Sequence, residues 1–106
     1  MGAYQFGVTA KQGPGEALET VFRRVVEDAR YEHGHGGYTG TIAEKDSVIT
    51  IKAEPVTMDE ARLMADILMN KDDSRVTDKW GPAGAIRVID PGYGFDGWYF
   101  FGWASS

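Results

Sequence analysis

The sequence contains no cysteine, and this absence excludes several kinds of site. Without cysteine there is no disulfide framework, no thiolate metal site and no cysteine nucleophile. Serine occurs only at positions 47, 74, 105 and 106, and none lies in the glycine-flanked turn that presents the nucleophile of a serine hydrolase. The sequence therefore favours a non-enzymatic protein and implies no cofactor.

Positive charge and long apolar runs are also scarce. Eleven basic against 16 acidic side chains give a net charge of -5, so direct binding to nucleic acid is not expected. The apolar runs are only a few residues long, and no membrane span is expected. The N-terminal residues lack a basic region followed by an apolar stretch, which predicts no signal peptide and a cytoplasmic location.

The chain of 106 residues has room for one domain, residues 1–106, because two separate cores would each bury too little surface. Apolar residues at three- and four-residue spacings predict two amphipathic helices, one from Glu16 to a stop at Gly34 and one that ends near Asn70. A capping box, Thr57 to Glu60, begins the second helix. Strands with alternating or β-branched residues are predicted at 3–9, 39–44, 47–53, 85–90 and 98–104.

The order of these elements, βαββαββ, predicts an α+β fold. We expect a two-layer antiparallel sheet with both helices on one face, which is a ferredoxin-like arrangement with an extra C-terminal strand. Residues 39–44 and 47–53 should form a tight hairpin around Lys45 and Asp46. The polar segment 72–84 is predicted to be a long loop, and such loops are either functional or mobile.

A glycine-rich stretch between the first helix and the next strand contains both histidines of the chain. Imidazoles two residues apart could bind a transition metal, and the glycines would let the backbone fold around a ligand. The alternative is an exposed connector in which glycine ends a helix and forms a turn. The candidate ligand or metal residues are His33, His35, Tyr38 and Thr39.

A second candidate site is the loop that joins the first strand to the first helix. Free amide groups and the helix dipole at such a place favour an anion, and Lys11, Gly13 and Gly15 are the candidate anion-binding residues. No phosphate-binding fingerprint is present. The alternative is a simple turn in which Pro14 is pre-set for entry into the helix.

The C-terminal segment is unusually aromatic, since Tyr93 to Trp103 includes seven of the aromatic side chains of the chain. Along a strand, Trp98 lies on one face and Tyr99, Phe101 and Trp103 lie on the other. If helices cover only one face, one set is exposed and marks an interface; if the strand is central, the aromatics fill the core. The interface candidates are Trp80, Tyr93, Trp98, Tyr99, Phe101 and Trp103.

Three functions remain open. The first is a small non-enzymatic interaction domain, an inhibitor or regulator of phage or bacterial type, that binds a protein partner or forms a homo-oligomer through the aromatic strand. The second is a small-ligand or metal-dependent, hydrolytic site at 33–41, and the third is an acidic mimic of nucleic acid that inhibits a basic protein. The runs YTGTIA (38–43) and WYFFGWA (98–104) resemble segments of small bacterial or phage proteins, and this resemblance implies no fold or residue role.

Overall fold

The computed structural model describes residues 2–34, 37 and 39–105. Along the chain, the elements are β1 (Ala3–Lys11), α1 (Leu18–His33), a 3-10 turn (Ile42–Glu44), β2 (Val48–Val56), α2 (Met58–Asn70), β3 (Ala83–Asp90), a second 3-10 turn (Pro91–Tyr93) and β4 (Phe95–Ser105).

Both helices form where the sequence predicts them. Helix α1 ends at Gly34, whose φ of +91° is a conformation that residues with a Cβ atom rarely adopt. The capping box of α2 is confirmed, because the Thr57 hydroxyl accepts from the Glu60 amide and the Glu60 carboxylate accepts from the Thr57 amide. Among the residues that the structure describes, neither helix is long and apolar enough to cross a membrane.

The four strands form one mixed sheet in the order β1-β4-β3-β2. Strand β4 pairs antiparallel with both β1 and β3, whereas β2 and β3 are parallel. The prediction of an antiparallel, five-stranded sheet is therefore wrong, and the strand order differs from the ferredoxin-like one. The reason is that α2 carries the chain back to the end of the sheet at which β2 starts, so β3 runs in the same direction as β2 and β2-α2-β3 is a parallel crossover unit.

The predicted hairpin at 39–53 is also wrong, because its first arm is not a strand. Local side-chain bonds hold this segment in a turn: the Thr41 hydroxyl accepts from the Ala43 amide, and the Glu44 carboxylate accepts from the Thr39 amide and hydroxyl. Such bonds compete with a sheet ladder for the backbone. Ile42 and Ala43 are buried in the turn.

The helices lie on opposite faces of the sheet, so the fold has three layers rather than the predicted two. On one face, here called the α1 face, Phe22 and Val26 of α1 pack with Phe100 of β4. On the other, the α2 face, Ala61 and Ala65 of α2 cluster with side chains of β3 and β4. Strands β3 and β4 are apolar on both sides, and covering both faces buries them.

Local bonds anchor the connection between α2 and β3. The Asp73 carboxylate accepts bonds from the Arg75 amide at 3.0 Å and from the Arg75 guanidinium at 2.9 and 3.0 Å. The Asp73 carbonyl accepts from the amides of Val76 and Thr77, and the Val76 side chain is buried on the α2 face. The segment 73–77 is therefore a defined turn within the predicted loop.

The Asp73 turn gives a prediction on pH. The Arg75 side chain and amide, which donate to the carboxylate, lower the pKa of Asp73 to about 2. Because the pKa is lowered on folding, the stabilisation is present above the ordinary pKa of 3.8 and is lost as the pH falls toward 2. A carbon-detected NMR titration should give a midpoint near 2, and in Arg75→Ala it should move toward 3.8. An unchanged midpoint in that variant would contradict the assignment.

Candidate functional site

The outer side of β1 is one of the two edges of the sheet. All nine residues of β1 pair with β4 on one side. On the other side, no described strand pairs with β1, because it is the first strand in the sheet order. A strand edge of this kind offers a row of donors and acceptors to another chain.

The hydrogen bonds at the end of β1 show which of its residues face outward. The Gln12 amide donates inward to the Asp96 carbonyl at 3.0 Å, whereas the Lys11 carbonyl accepts from the Arg24 guanidinium on the outer side at 2.6 Å. Successive residues of an antiparallel strand alternate between these two directions. The amides and carbonyls of Gln5, Gly7 and Thr9 therefore point to the free edge.

A groove of about 710 Å³ lies between β1 and α1 on the α1 face. Its floor is apolar and partly buried, because the even-numbered side chains Phe6, Val8 and Ala10 of β1 pack on the core of this face. The apolar residues lining the groove are Phe6, Val8, Ala10, Val25, Ala29 and Ile42.

A smaller groove, of about 220 Å³, lies on the α2 face of the same edge. It is lined by Gln5 and Gly7 of β1, by Asp66 and Met69 of α2, and by Tyr99 of β4. The Tyr99 ring lies across Gly7, where a Cβ atom would meet the Tyr99 hydroxyl and lie 3.0 Å from ring carbon Cζ. Helix α2 thus lies over β3 and β4 and leaves the α2 face of β1 open, whereas α1 lies beside β1 with the larger groove between them.

The other edge of the sheet, β2, carries features that discourage pairing with a further strand. Pro55 has no amide hydrogen, Lys52 and Glu54 place charges along the strand, and the register with β3 shifts twice between Thr50 and Val56. Proteins protect exposed edges with proline, charge and irregularity of this kind. Strand β1 has no proline and no shift in register, and its one charged residue, Lys11, is its last.

The charges beside β1 are separated along its length. Helix α1 runs antiparallel to β1, since Arg24 bonds to the end of the strand and the chain that follows α1 reaches the other end, where the Gly40 amide donates to the carbonyl of Ser105, the partner of Ala3. Lys11 and Arg24 are therefore near one end of β1, and Asp28 and Glu32 approach the other. Arg24 also pairs with Glu16, and this bond, with a further bond from the Gly13 amide, lowers the pKa of Glu16.

That arrangement bears on the predicted anion site at Lys11, Gly13 and Gly15. The Gly13 amide donates to the Glu16 carboxylate at 2.6 Å, so a side chain of the chain itself is the anion bound there. Gly15 is exposed with a φ of +75°, which suits the turn into α1. An external anion at this loop stays a prediction, and it would have to compete with Glu16.

The candidate ligand residues of the glycine-rich stretch are only partly described. His33 is exposed at the end of α1 and lines the larger groove. Thr39 instead bonds to Thr41 and Glu44 through its hydroxyl. His35 and Tyr38 lie outside the described residues. Within 2–34, 37 and 39–105, no three or more histidine, aspartate or glutamate side chains gather as they would around a metal ion.

The aromatic interface candidates divide into core and surface. Strand β4 is central, and helices cover both of its faces, so Trp98 and Phe101 are buried and Tyr99 and Trp103 are half-buried. Of the two alternatives that the sequence leaves open, the structure has the central strand whose aromatics fill the core, because α2 covers the face that the two-layer prediction left bare. Trp80 and Tyr93 are exposed and stay candidates for a contact.

Strand β1 is not among the candidate surfaces that the sequence predicts, although its last residue, Lys11, is a candidate anion-binding residue. A usable signal was present in the polar or small residues Gln5, Gly7 and Thr9, which alternate with apolar ones. In β3 and β4, by contrast, apolar residues occur on both sides. One-sided alternation is typical of a strand with one face open, and two-sided apolar runs are typical of a central strand.

Comparison of the chain with family models, with curated proteins and with solved structures finds no match in any of the three.

Proposed function

We propose that this chain is a non-enzymatic protein-interaction domain that binds an extended segment of protein along the free edge of β1. The observation that carries the proposal is the combination of an unprotected strand edge with an open groove on each of its faces. A strand added to β1 would gain backbone hydrogen bonds from Gln5, Gly7 and Thr9. This mode of binding, in which the backbone supplies affinity and side-chain pockets supply specificity, is common in peptide-binding domains.

The grooves explain how an added strand would be recognised. Successive side chains of a strand point to opposite faces, so alternate residues of the bound segment would enter the larger groove and the smaller one. The larger groove has an apolar floor at Phe6, Val8 and Ala10, which favours an apolar side chain. The smaller groove has less than half the volume of the larger and is lined in part by Asp66, which favours a small or polar side chain.

Proline at position 5 tests the proposal. Because the Gln5 amide points outward, Gln5→Pro removes a donor at the free edge and leaves the hydrogen bonds to β4 intact. Selection from a phage library of random nonapeptides should enrich peptides that bind the wild-type chain, and these peptides should also bind the matched control Gln5→Ala. The selected peptides should bind Gln5→Pro at least tenfold more weakly, and circular dichroism should show that this variant is folded.

Peptides that bind the wild type and Gln5→Pro equally would place the binding surface elsewhere, and failure to select any peptide would count against strand addition. Hydrogen exchange gives a second readout at single residues. The amides of Gln5, Gly7 and Thr9 should become protected when a selected peptide binds, whereas those of Phe6 and Val8, which point toward β4, should change little.

A further inference from the structure

We infer that the strand that adds to β1 is the β1 strand of a second copy of this chain, which gives a two-fold dimer with a continuous eight-stranded sheet. This inference rests on the proposed function, since it names the occupant of the same edge. Its basis is that the edge is complementary to itself in backbone pattern, in side-chain pairing and in charge.

The backbone pattern fixes how two β1 strands can pair. Outward-pointing residues must face each other across an antiparallel pair, so Gln5, Gly7 and Thr9 of one copy pair with the same set in the other. Placing Gly7 on the two-fold axis aligns all nine residues of the two strands, Ala3–Lys11, and backbone bonds form between Gln5, Gly7 and Thr9 of the two copies, since Arg24 already bonds to the Lys11 carbonyl on the outer side. Neighbouring registers shift the axis by one residue and leave unpaired residues at both ends.

In this register the side chains on each face match. Phe6 lies opposite Val8 of the second copy, and this apolar pair occurs twice on the α1 face, at the floor of the larger groove. Gln5 lies opposite Thr9 of the second copy on the α2 face, where both residues are exposed. Aromatic residues opposite β-branched ones, and polar residues opposite polar ones, are pairs that stabilise antiparallel strands.

Charges of opposite sign lie toward opposite ends of the β1 edge, so reversing the direction of the second copy brings them together. A two-fold axis perpendicular to the sheet keeps both α1 helices on one face and reverses their direction. On the α1 face, the end with Arg24, whose guanidinium also pairs with Glu16, then approaches the end with Asp28 and Glu32 in the second copy. Among the described residues, Asp28 and Glu32 take part in no ion pair within the chain, so both are available to a second copy.

On the α2 face, Lys11 comes to the Ala3 end of the second copy, and Asp66 rims the groove beside Gln5 on that face. Opposite charges thus approach on both faces of the sheet, and a segment of uniform charge would not match in this way. Strand β2 offers no comparable edge, because Pro55 and the shifts in register interrupt it.

The dimer is tested by analytical ultracentrifugation over a concentration series. The wild type and Gln5→Ala should associate reversibly to a dimer and no further, and raised salt should weaken the dimer because it screens the charges. Gln5→Pro should stay monomeric at concentrations where the wild type is mostly dimeric. A dimer that persists in Gln5→Pro would overturn the inference, since it would form through another surface.

Disulfide formation between introduced cysteines tests the register of the two β1 strands, and the chain has no cysteine of its own to interfere. When Gln5→Cys and Thr9→Cys chains are mixed and oxidised, the disulfide between the two variants should exceed both homodisulfides several-fold. An excess of either homodisulfide would overturn the register with Gly7 on the axis.

The two proposals fail in different ways. If the wild type is monomeric throughout the series but phage-selected peptides bind in a manner sensitive to Gln5→Pro, the second copy is excluded and strand addition stands with a foreign segment as occupant. If the wild type is monomeric and no peptide is selected, both proposals are wrong.

Discussion

Alanine in place of Gly97 is expected to destabilise the chain by about 3 kcal/mol, a large part of the stability of a small domain. Gly97 lies in β4 between Lys11 of β1 and Val88 of β3. A Cβ atom there would overlap the Ala10 carbonyl oxygen and lie 2.8 Å from the Cα of Lys11. These are backbone atoms, which cannot rotate away as the end of a side chain can, so β1 would have to separate from β4.

Urea unfolding measures this effect, and Gly92→Ala is the matched control. Gly92 is exposed in the turn before β4, and the nearest atom to an added Cβ is a carboxylate oxygen of Asp90 at 3.3 Å. The control should change the free energy of unfolding by about 0.5 kcal/mol or less. Equal effects of the two substitutions would contradict the close approach of β1 and β4 at Gly97. The comparison bears on function, because this approach holds the free edge of β1 in place.

The elements that the sequence predicts correctly are those whose signals are local. The apolar spacing of α1 and the capping box of α2 act within one or two turns of helix, and both helices form at the expected positions. Strands β1, β3 and β4 likewise follow from their own residues. The parallel pairing of β2 with β3 depends on where α2 crosses the sheet, and no residue of either strand encodes that path.

The candidate site was harder to predict for the same reason. Whether a strand is central or at an edge is a property of the whole topology, so the sequence leaves open whether the aromatics of β4 are core or surface, and the structure places this strand in the middle of the sheet. Strand β1, with a plain alternation, proved to be the edge. The hydrogen bond from Gly13 to Glu16 likewise depends on a side-chain position that loop composition does not give.

Lys45 is a further residue whose role the sequence does not show, since the sequence places it in the turn of a tight hairpin. It is only 1% exposed, and its ammonium group donates to three carbonyls, those of Asp78, Lys79 and Gly81, at 3.0 to 3.3 Å. The three donors of the ammonium group therefore have three backbone acceptors. This arrangement fixes the loop that carries the exposed Trp80.

Methionine in place of Lys45 is expected to lower the free energy of unfolding by about 3 kcal/mol, because buried acceptors lose bonds to a charged donor. Methionine has similar length and fills the space, so the loss reports on the hydrogen bonds. The loop should loosen as well, and the Gly81 amide, which donates to the Asp78 carbonyl at 2.9 Å, should exchange with solvent faster than in the wild type.

The pH dependence separates this explanation from a general loss of packing. Burial lowers the pKa of Lys45 below 10.5, so unfolding takes up a proton in the window between the lowered value and 10.5. Stability of the wild type relative to Lys45→Met should therefore rise with pH across that window. Lys79→Met, which removes a partly exposed neighbour lying over the Trp80 ring, should cost about 1 kcal/mol or less and lack this dependence. If Lys45→Met and Lys79→Met lose the same free energy of unfolding and show the same dependence on pH, the buried ammonium group of Lys45 does not hold the loop.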